Sequence, residues 1–86
     1  MKEKKVYYLD CEYRYKCSDE GHYIVAISEN KDKIIAEFKK QREMVLNDWK
    51  DVEDKEIDAD TDTHFTIQCE EWKEYQEYVI YEQKLI

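Results

Sequence analysis

The sequence predicts an α+β domain in which a small antiparallel sheet, with elements in the order β-β-α-β-β, is covered on one face by a single long amphipathic helix. Three patterns carry this prediction: an alternation of period two between Tyr7 and Cys17, apolar residues at three- and four-residue steps between Ile34 and Trp49, and a second alternation between His64 and Cys69. Strand pairs on either side of one helix favour two packed layers around one core. The chain has 86 residues, enough for one domain, and at this size only roughly 60% of the unfolded surface is buried. Eight Tyr, two Trp and two Phe must supply much of that buried area, and such a content of aromatics marks a folded chain.

The first strand places Tyr7, Leu9, Cys11, Tyr13, Tyr15 and Cys17 on one face and Asp10, Glu12, Arg14 and Lys16 on the other. Ser18-Asp19-Glu20-Gly21 has the chemistry of a turn. The apolar run over residues 23–27 then reads as a second, more completely buried strand that closes a hairpin. Ser28 or Asn30 can cap a following helix over approximately residues 30–50, because each side chain can accept a bond from an unpaired amide of the first turn. Asp32 suits the positive pole of that helix. Ile34, Ile35, Phe38, Val45, Leu46 and Trp49 form its apolar stripe, while Lys39, Lys40, Glu43, Asp48 and Lys50 fall largely elsewhere. His64 to Cys69 is the third strand, with Phe65, Ile67 and Cys69 on one face, and residues 78–81 form the fourth. Residues 70–77 stay open between a short helix and a wide loop. Trp72, Tyr75 and Val79 have helical spacing there, and no Gly, Pro or Asn marks a tight turn.

Charge is the most uneven property of the chain. Residues 51–62 hold seven carboxylates, Asp51, Glu53, Asp54, Glu56, Asp58, Asp60 and Asp62, against the one Lys55, so this segment carries -6 of the net -8. Acids just beyond a helix C-terminus are opposed by its negative pole, so the segment reads as a loop whose acids have another use. A concentrated anionic strip fits a cationic groove or a basic partner surface. Direct binding to nucleic acid would meet phosphate repulsion, which leaves most of the eight tyrosines as core and sheet residues with wet hydroxyls.

Other chemistries fit poorly. Asp58-x-Asp60-x-Asp62 opens like a calcium loop, but Thr63 stands where glycine would make the sharp turn and Cys69 where a bidentate Glu would close it. Cys17, His22, His64 and Cys69 supply the ligand types of a zinc site, yet residues five apart on a strand face opposite sides. Ser18 and Ser28 are the only serines, and Gly21 is the only glycine, so there is neither a spare nucleophile nor a phosphate loop. The expectation is a protein that is not an enzyme and needs no metal or cofactor. The longest apolar run has five residues, against roughly 20 for a bilayer span, and no stretch near Met1 could serve as a signal peptide. With three cysteines and no CxxC pair, the chain reads as reduced and cytoplasmic.

Glu20-Gly21-His22-Tyr23-Ile24-Val25-Ala26-Ile27-Ser28-Glu29-Asn30, followed by Ile34-Ile35, Phe38, Trp49 and the acids from Asp51, resembles the central part of small phage-encoded anti-CRISPR proteins that inhibit the type II effector nuclease. The resemblance covers residues 19–56. It implies that an acidic turn, here Asp19 and Glu20, and acids after the helix, here Asp51, Glu53, Asp54 and Glu56, imitate DNA phosphates at the site that reads the short duplex motif beside the target. Asp58, Asp60 and Asp62 extend that acidic edge. The chain departs from the family in having a strand-like segment where the family has a leading helix, and a longer C-terminal part. The expected partner is therefore a basic nucleic-acid-binding protein, a CRISPR nuclease in the first instance, met by a monomer or weak homodimer in a bacterial host cell.

Overall fold

The computed structural model describes residues 4–15, 19–70 and 72–85. Five strands and one helix follow one another as β1 (Lys4–Tyr15), β2 (Asp19–Ser28), α1 (Lys31–Asp48), β3 (Glu56–Asp60), β4 (His64–Cys69) and β5 (Glu74–Leu85). All neighbours in the sheet are antiparallel, in the spatial order β2-β1-β5-β4-β3. The α+β architecture with one helix across one face is as the sequence predicts, with a fifth strand added.

The helix packs where its apolar stripe requires. Ile34, Phe38 and Val45, with Trp49 just past its end, are buried against Leu9 and Cys11 of β1, Phe65, Ile67 and Cys69 of β4, and Tyr78 of β5. Asn30 is the cap: its Oδ1 accepts from the amides of Asp32 and Lys33, at 2.9 and 3.3 Å. Ser28 supports it in turn, its Oγ accepting from the Asn30 amide at 3.0 Å. At the far end the Trp49 indole donates to Gln76 Oε1 at 2.8 Å, which pins the helix terminus to β5. Burial pushes the Cys11 thiol above its ordinary range, and it pushes Cys69 up to about 11 with help from the neighbouring Glu74 carboxylate. Both cysteines are therefore protonated core residues.

Four sequence expectations need correction. The segment over residues 51–62 is not all loop, because residues 56–60 pair with β4 as an edge strand. Ile57 and Ala59 alternate with acids there, and the charge hides the period. The run over residues 23–27 is not deeply buried: it belongs to the other edge strand, with Tyr23 and Ile24 each 49% exposed and Ile27 62% exposed. Asp19, Glu20 and Gly21 do not turn but already pair with Tyr15, Arg14 and Tyr13, and the expected turn position at Ser18 lies outside the described residues, as do Lys16 and Cys17. Residues 70–77 are neither helix nor wide loop. A tight connection leads straight into β5, with Glu70 and Trp72 in the left-handed region at φ 50 and 70. A bulky residue there costs about 1–2 kcal/mol. That cost is offset locally: the Trp72 amide donates to Gln68 Oε1 at 3.1 Å, and its ring meets Tyr75 edge-on at 5.6 Å.

Gly21 permits a close approach. A Cβ at this position would stand 2.6 Å from the Tyr13 hydroxyl and 2.8 Å from Tyr13 Cζ, so the absence of a side chain lets the Tyr13 ring lie across β2.

Candidate functional site: an acidic end of the sheet

The strand registers form rows that run across the sheet. One row reads Glu20, Arg14, Tyr75, Gln68, Glu56, from one edge to the other. Residues from both acidic sets predicted from the sequence therefore terminate the same row, and four strand intervals of about 4.8 Å separate them by roughly 19 Å. The chain path explains the meeting. β2, β3 and β5 begin at this end of the sheet, and β1, β4 and α1 finish there. Asp19, Glu20, Asp48, Asp51, Glu53, Asp54, Glu56, Glu70 and Glu74 are thereby gathered with Arg14, Lys50, Lys55 and Lys73 among them, while Lys4, Lys5, Lys31, Lys33 and Lys84 lie at the opposite end with Glu29, Asp32 and Glu82.

Side chains bridge that row on the face away from the helix. Arg14 donates from Nε and Nη2 to Glu20 Oε2, at 3.0 and 2.8 Å. Its guanidinium also lies 5.8 Å from the centre of the Tyr75 ring, within the range of a cation–π contact. Gln68, which is buried, donates from Nε2 to Glu56 Oε2 at 3.2 Å and accepts from the Trp72 amide. The two terminal carboxylates are thus oriented by the sheet that separates them.

Lys55 is the one cation of the acidic segment, and it turns inward. Its ammonium donates to the carbonyls of Lys50 and Val52, at 3.3 and 3.0 Å. It satisfies carbonyls just past α1, whose last turn contains no basic residue, and so answers the negative pole that the acids oppose. Asp51, Glu53 and Asp54 in the same connection are exposed, and none takes part in a resolved ion pair among the described residues.

The predicted acids thus fall into groups. Asp19, Asp51, Glu53, Asp54 and Glu56 lie at the acidic end, with Glu20 beside Arg14. Asp58 is the bulged residue of β3, between the pairs Ile57 with Ile67 and Ala59 with Thr66. Asp60 turns to α1, where Arg42 holds it with two bonds of 2.8 Å, and Asp62 follows in the β3–β4 turn near the same arginine. The three residues of the calcium-like spacing do not converge: among the described residues no group of three His, Cys, Asp or Glu could hold a metal. His64 faces away from the helix and Cys69 toward it, which separates two of the zinc-type ligands, while Cys17 lies outside the described residues.

Arg42 holds the Asp60 carboxyl below the usual carboxylate range through hydrogen bonds reinforced by charge. The folded value thus lies below the unfolded one of about 3.9. Its stabilising effect is present above that value and is lost as pH falls through the lower folded one. The difference in melting temperature between the protein and Asp60→Asn should be clear near neutral pH and should close below about pH 4. A gap that persists unchanged under acid conditions would separate it from ionisation.

Two histidine contacts went unread in the sequence. His64 Nε2 lies 2.7 Å from Glu77 Oε2 and 3.0 Å from Thr66 Oγ1, which is itself 3.2 Å from Glu77. His22 Nε2 lies 2.7 Å from Asp10 Oδ1, close enough for an ion pair when the ring is protonated, although that buried oxygen has no hydrogen bond of good geometry. Both pairs stand on the face away from the helix, on either side of Glu12, which opposes Glu77 directly across β1 and β5. The signal was present in the alternation of β1, whose even positions carry Asp10 and Glu12, but the partner strands could not be known. In His64 the same nitrogen meets both Thr66 and Glu77, so the three do not form the nucleophile, base and orienter relay of an acyl-transfer site.

No helix among the described residues is long and apolar enough to cross a membrane. Comparison with known proteins finds no matching family model, no similar curated sequence and no similar solved structure.

Proposed function

We propose that this protein is an acidic inhibitor that offers carboxylates in place of DNA phosphates to a basic nucleic-acid-binding protein, with a type II CRISPR nuclease as the first target to test. The observation that carries the reading is the row from Glu20 to Glu56, which brings two acidic sets far apart in sequence to one end of the sheet. Asp51, Glu53, Asp54 and Glu56 supply the exposed charge at one edge, with Asp58 and Asp62 further along it, and Asp19 supplies charge at the other. The two edges lie roughly 19 Å apart, wider than the ~12 Å of the DNA major groove, so each edge meets its own cationic groups of the cleft. Long-range attraction speeds the encounter, and neutralisation of crowded like charges favours the bound state.

The inhibitor acts as a monomer or weak dimer in the bacterial cytoplasm, needs no cofactor, and does not itself bind nucleic acid, because the charge that attracts a basic cleft repels phosphates. Glu20 and Asp60 contribute less to the contact, each being already engaged by an arginine. Those two arginine pairs favour a second reading, a small interaction domain whose acids serve its own fold and solubility.

The experiment is a competition. The protein should displace a duplex carrying the flanking motif from the guide-loaded nuclease, with an affinity that falls about tenfold or more as salt rises from low to physiological strength. Undiminished binding at saturating duplex, or an affinity indifferent to salt, would sink the phosphate-mimic reading in favour of the second.

A further inference from the structure

The row from Glu20 to Glu56 is built alike on the two sides of Tyr75, with one difference. Arg14 and Gln68 are the register neighbours of Tyr75 on β1 and β4, and each donates to the carboxylate at its own edge, Glu20 or Glu56. On the β2 side the chain completes a three-part arrangement, since the Arg14 guanidinium that donates to Glu20 also lies over the Tyr75 ring. On the β3 side a carboxylate and a ring are again present, Glu56 and Trp72, but the residue between them is a neutral glutamine. Both are tied to it: Glu56 accepts from Gln68 Nε2 and the Trp72 amide donates to Gln68 Oε1, so they stand at the two ends of one side-chain amide. Among the described residues no cation pairs with Glu56 and none lies over the Trp72 ring.

Trp72 holds its place in a way the turn itself does not require. Its backbone lies in the left-handed region, where glycine sits with little strain, and its amide bond to Gln68 needs no side chain. The ring is 43% exposed, with Tyr75 edge-on against it. A backbone outlier at an exposed aromatic points to a use in binding, and a ring already fixed loses little freedom when a partner arrives. We propose that Trp72 and Glu56 receive an arginine side chain of the basic partner, which stacks on the indole and donates to the carboxylate, as Arg14 does between Tyr75 and Glu20. Local charge agrees with this occupant. Asp54, Glu70 and Glu74, which act together on Cys69 at the end of β4, outnumber Lys55 and Lys73 even before Glu56 is counted, and Lys55 is turned to backbone carbonyls. Arginine is chosen over lysine because a guanidinium is planar and weakly hydrated, so it can stack on a ring and donate in its own plane at once, whereas an ammonium is a compact, strongly hydrated point charge.

The site rests on the reading that this end of the sheet receives a cationic partner, and it is tested without the nuclease. Hexa-arginine and hexalysine, titrated at low salt, carry the same side-chain charge and differ in the group that bears it. Hexa-arginine should bind about threefold or more tightly and should change the emission of Trp72, against a constant background from the buried Trp49. Trp72→Gly should bring the two peptides to within about twofold of each other. Its melting temperature should stay within a few degrees of the unaltered protein or rise, because glycine relieves the left-handed backbone. Glu56→Gln should also narrow the difference between the peptides, which keeps the test open should Trp72→Gly fail to fold. Equal affinities for the two peptides in the unaltered protein, a preference for arginine that survives Trp72→Gly, or one untouched by Glu56→Gln would each overturn the proposal. An arginine preference without displacement of the duplex from the nuclease would overturn the inhibitor reading alone, and displacement without the preference would overturn this site alone.

Discussion

Replacing Asp51, Glu53, Asp54 and Glu56 together by Asn, Gln, Asn and Gln is expected to weaken binding to the proposed basic partner about 30-fold to several hundred-fold. This follows if each exposed carboxylate contributes ~0.5–1 kcal/mol in contact with cationic groups. The four changes take the net charge from -8 to -4, and the salt dependence of the affinity should flatten with it. The fold should survive, because all four side chains are exposed and a glutamine at position 56 still offers Gln68 an acceptor. Two controls locate the effect. Glu29→Gln with Glu43→Gln removes charge away from the acidic end and should change affinity by a few-fold at most. Glu20→Gln with Asp60→Asn removes acids already held by Arg14 and Arg42 and should cost less than two of the exposed four. Equal losses per charge removed in all three sets, measured by calorimetry, would mean that net charge matters and its placement does not.

Phe65→Ala should be the most damaging single core substitution. Phe65 is fully buried in β4, opposite Tyr78, and the Arg42 guanidinium lies 5.4 Å from the centre of its ring. Truncating a buried phenylalanine costs about 3–5 kcal/mol. A domain of 86 residues has a total stability of roughly 4–13 kcal/mol, so the variant should lie near the edge of folding. Its melting temperature should drop by more than about 10 °C, given roughly 4–8 °C per kcal/mol at this size. Ile57→Ala, at a side chain 45% exposed on β3, should shift it by only a few degrees. Thermal melts of the two variants test the contrast, and comparable losses would mean that the core does not centre on β4. Loss of Phe65 also removes the ring beneath Arg42, so the pairing of Arg42 with Asp60 should loosen with it.

Sequence periodicity located the helix to within two residues at its C-terminal end, because Ile34, Phe38, Val45 and Trp49 share one face and Asn30 is a competent cap. β4 was legible for the same reason, through Phe65, Ile67 and Cys69. The edges of the sheet were not. At β3, three acids among five residues look like a loop, since nothing local reveals that Gln68 and Ile67 wait to pair with Glu56 and Ile57. At β2, apolar residues look like a buried strand, although its position in the sheet exposes them. The start of β5 was hidden because a glutamate and a tryptophan adopt backbone angles usually left to glycine. The acidic residues could be read individually, but their gathering could not. It depends on registers that only long-range pairing fixes, and on Lys55 reaching back to carbonyls past the helix.

The excess of acids at one end of the sheet and of lysines at the other has a mechanical consequence. The molecule measures 51 by 23 by 16 Å, and its longest strands, with twelve residues each, reach about 40 Å, so the charge separation runs along the long dimension. A body of that shape carries a permanent electric dipole nearly parallel to its own axis. In the field of a cationic surface it feels a torque before it touches anything, and it arrives with one tip leading. Rotational search, which ordinarily slows the docking of two specific patches, is thereby shortened, and the lysine-bearing tip is left trailing in solvent.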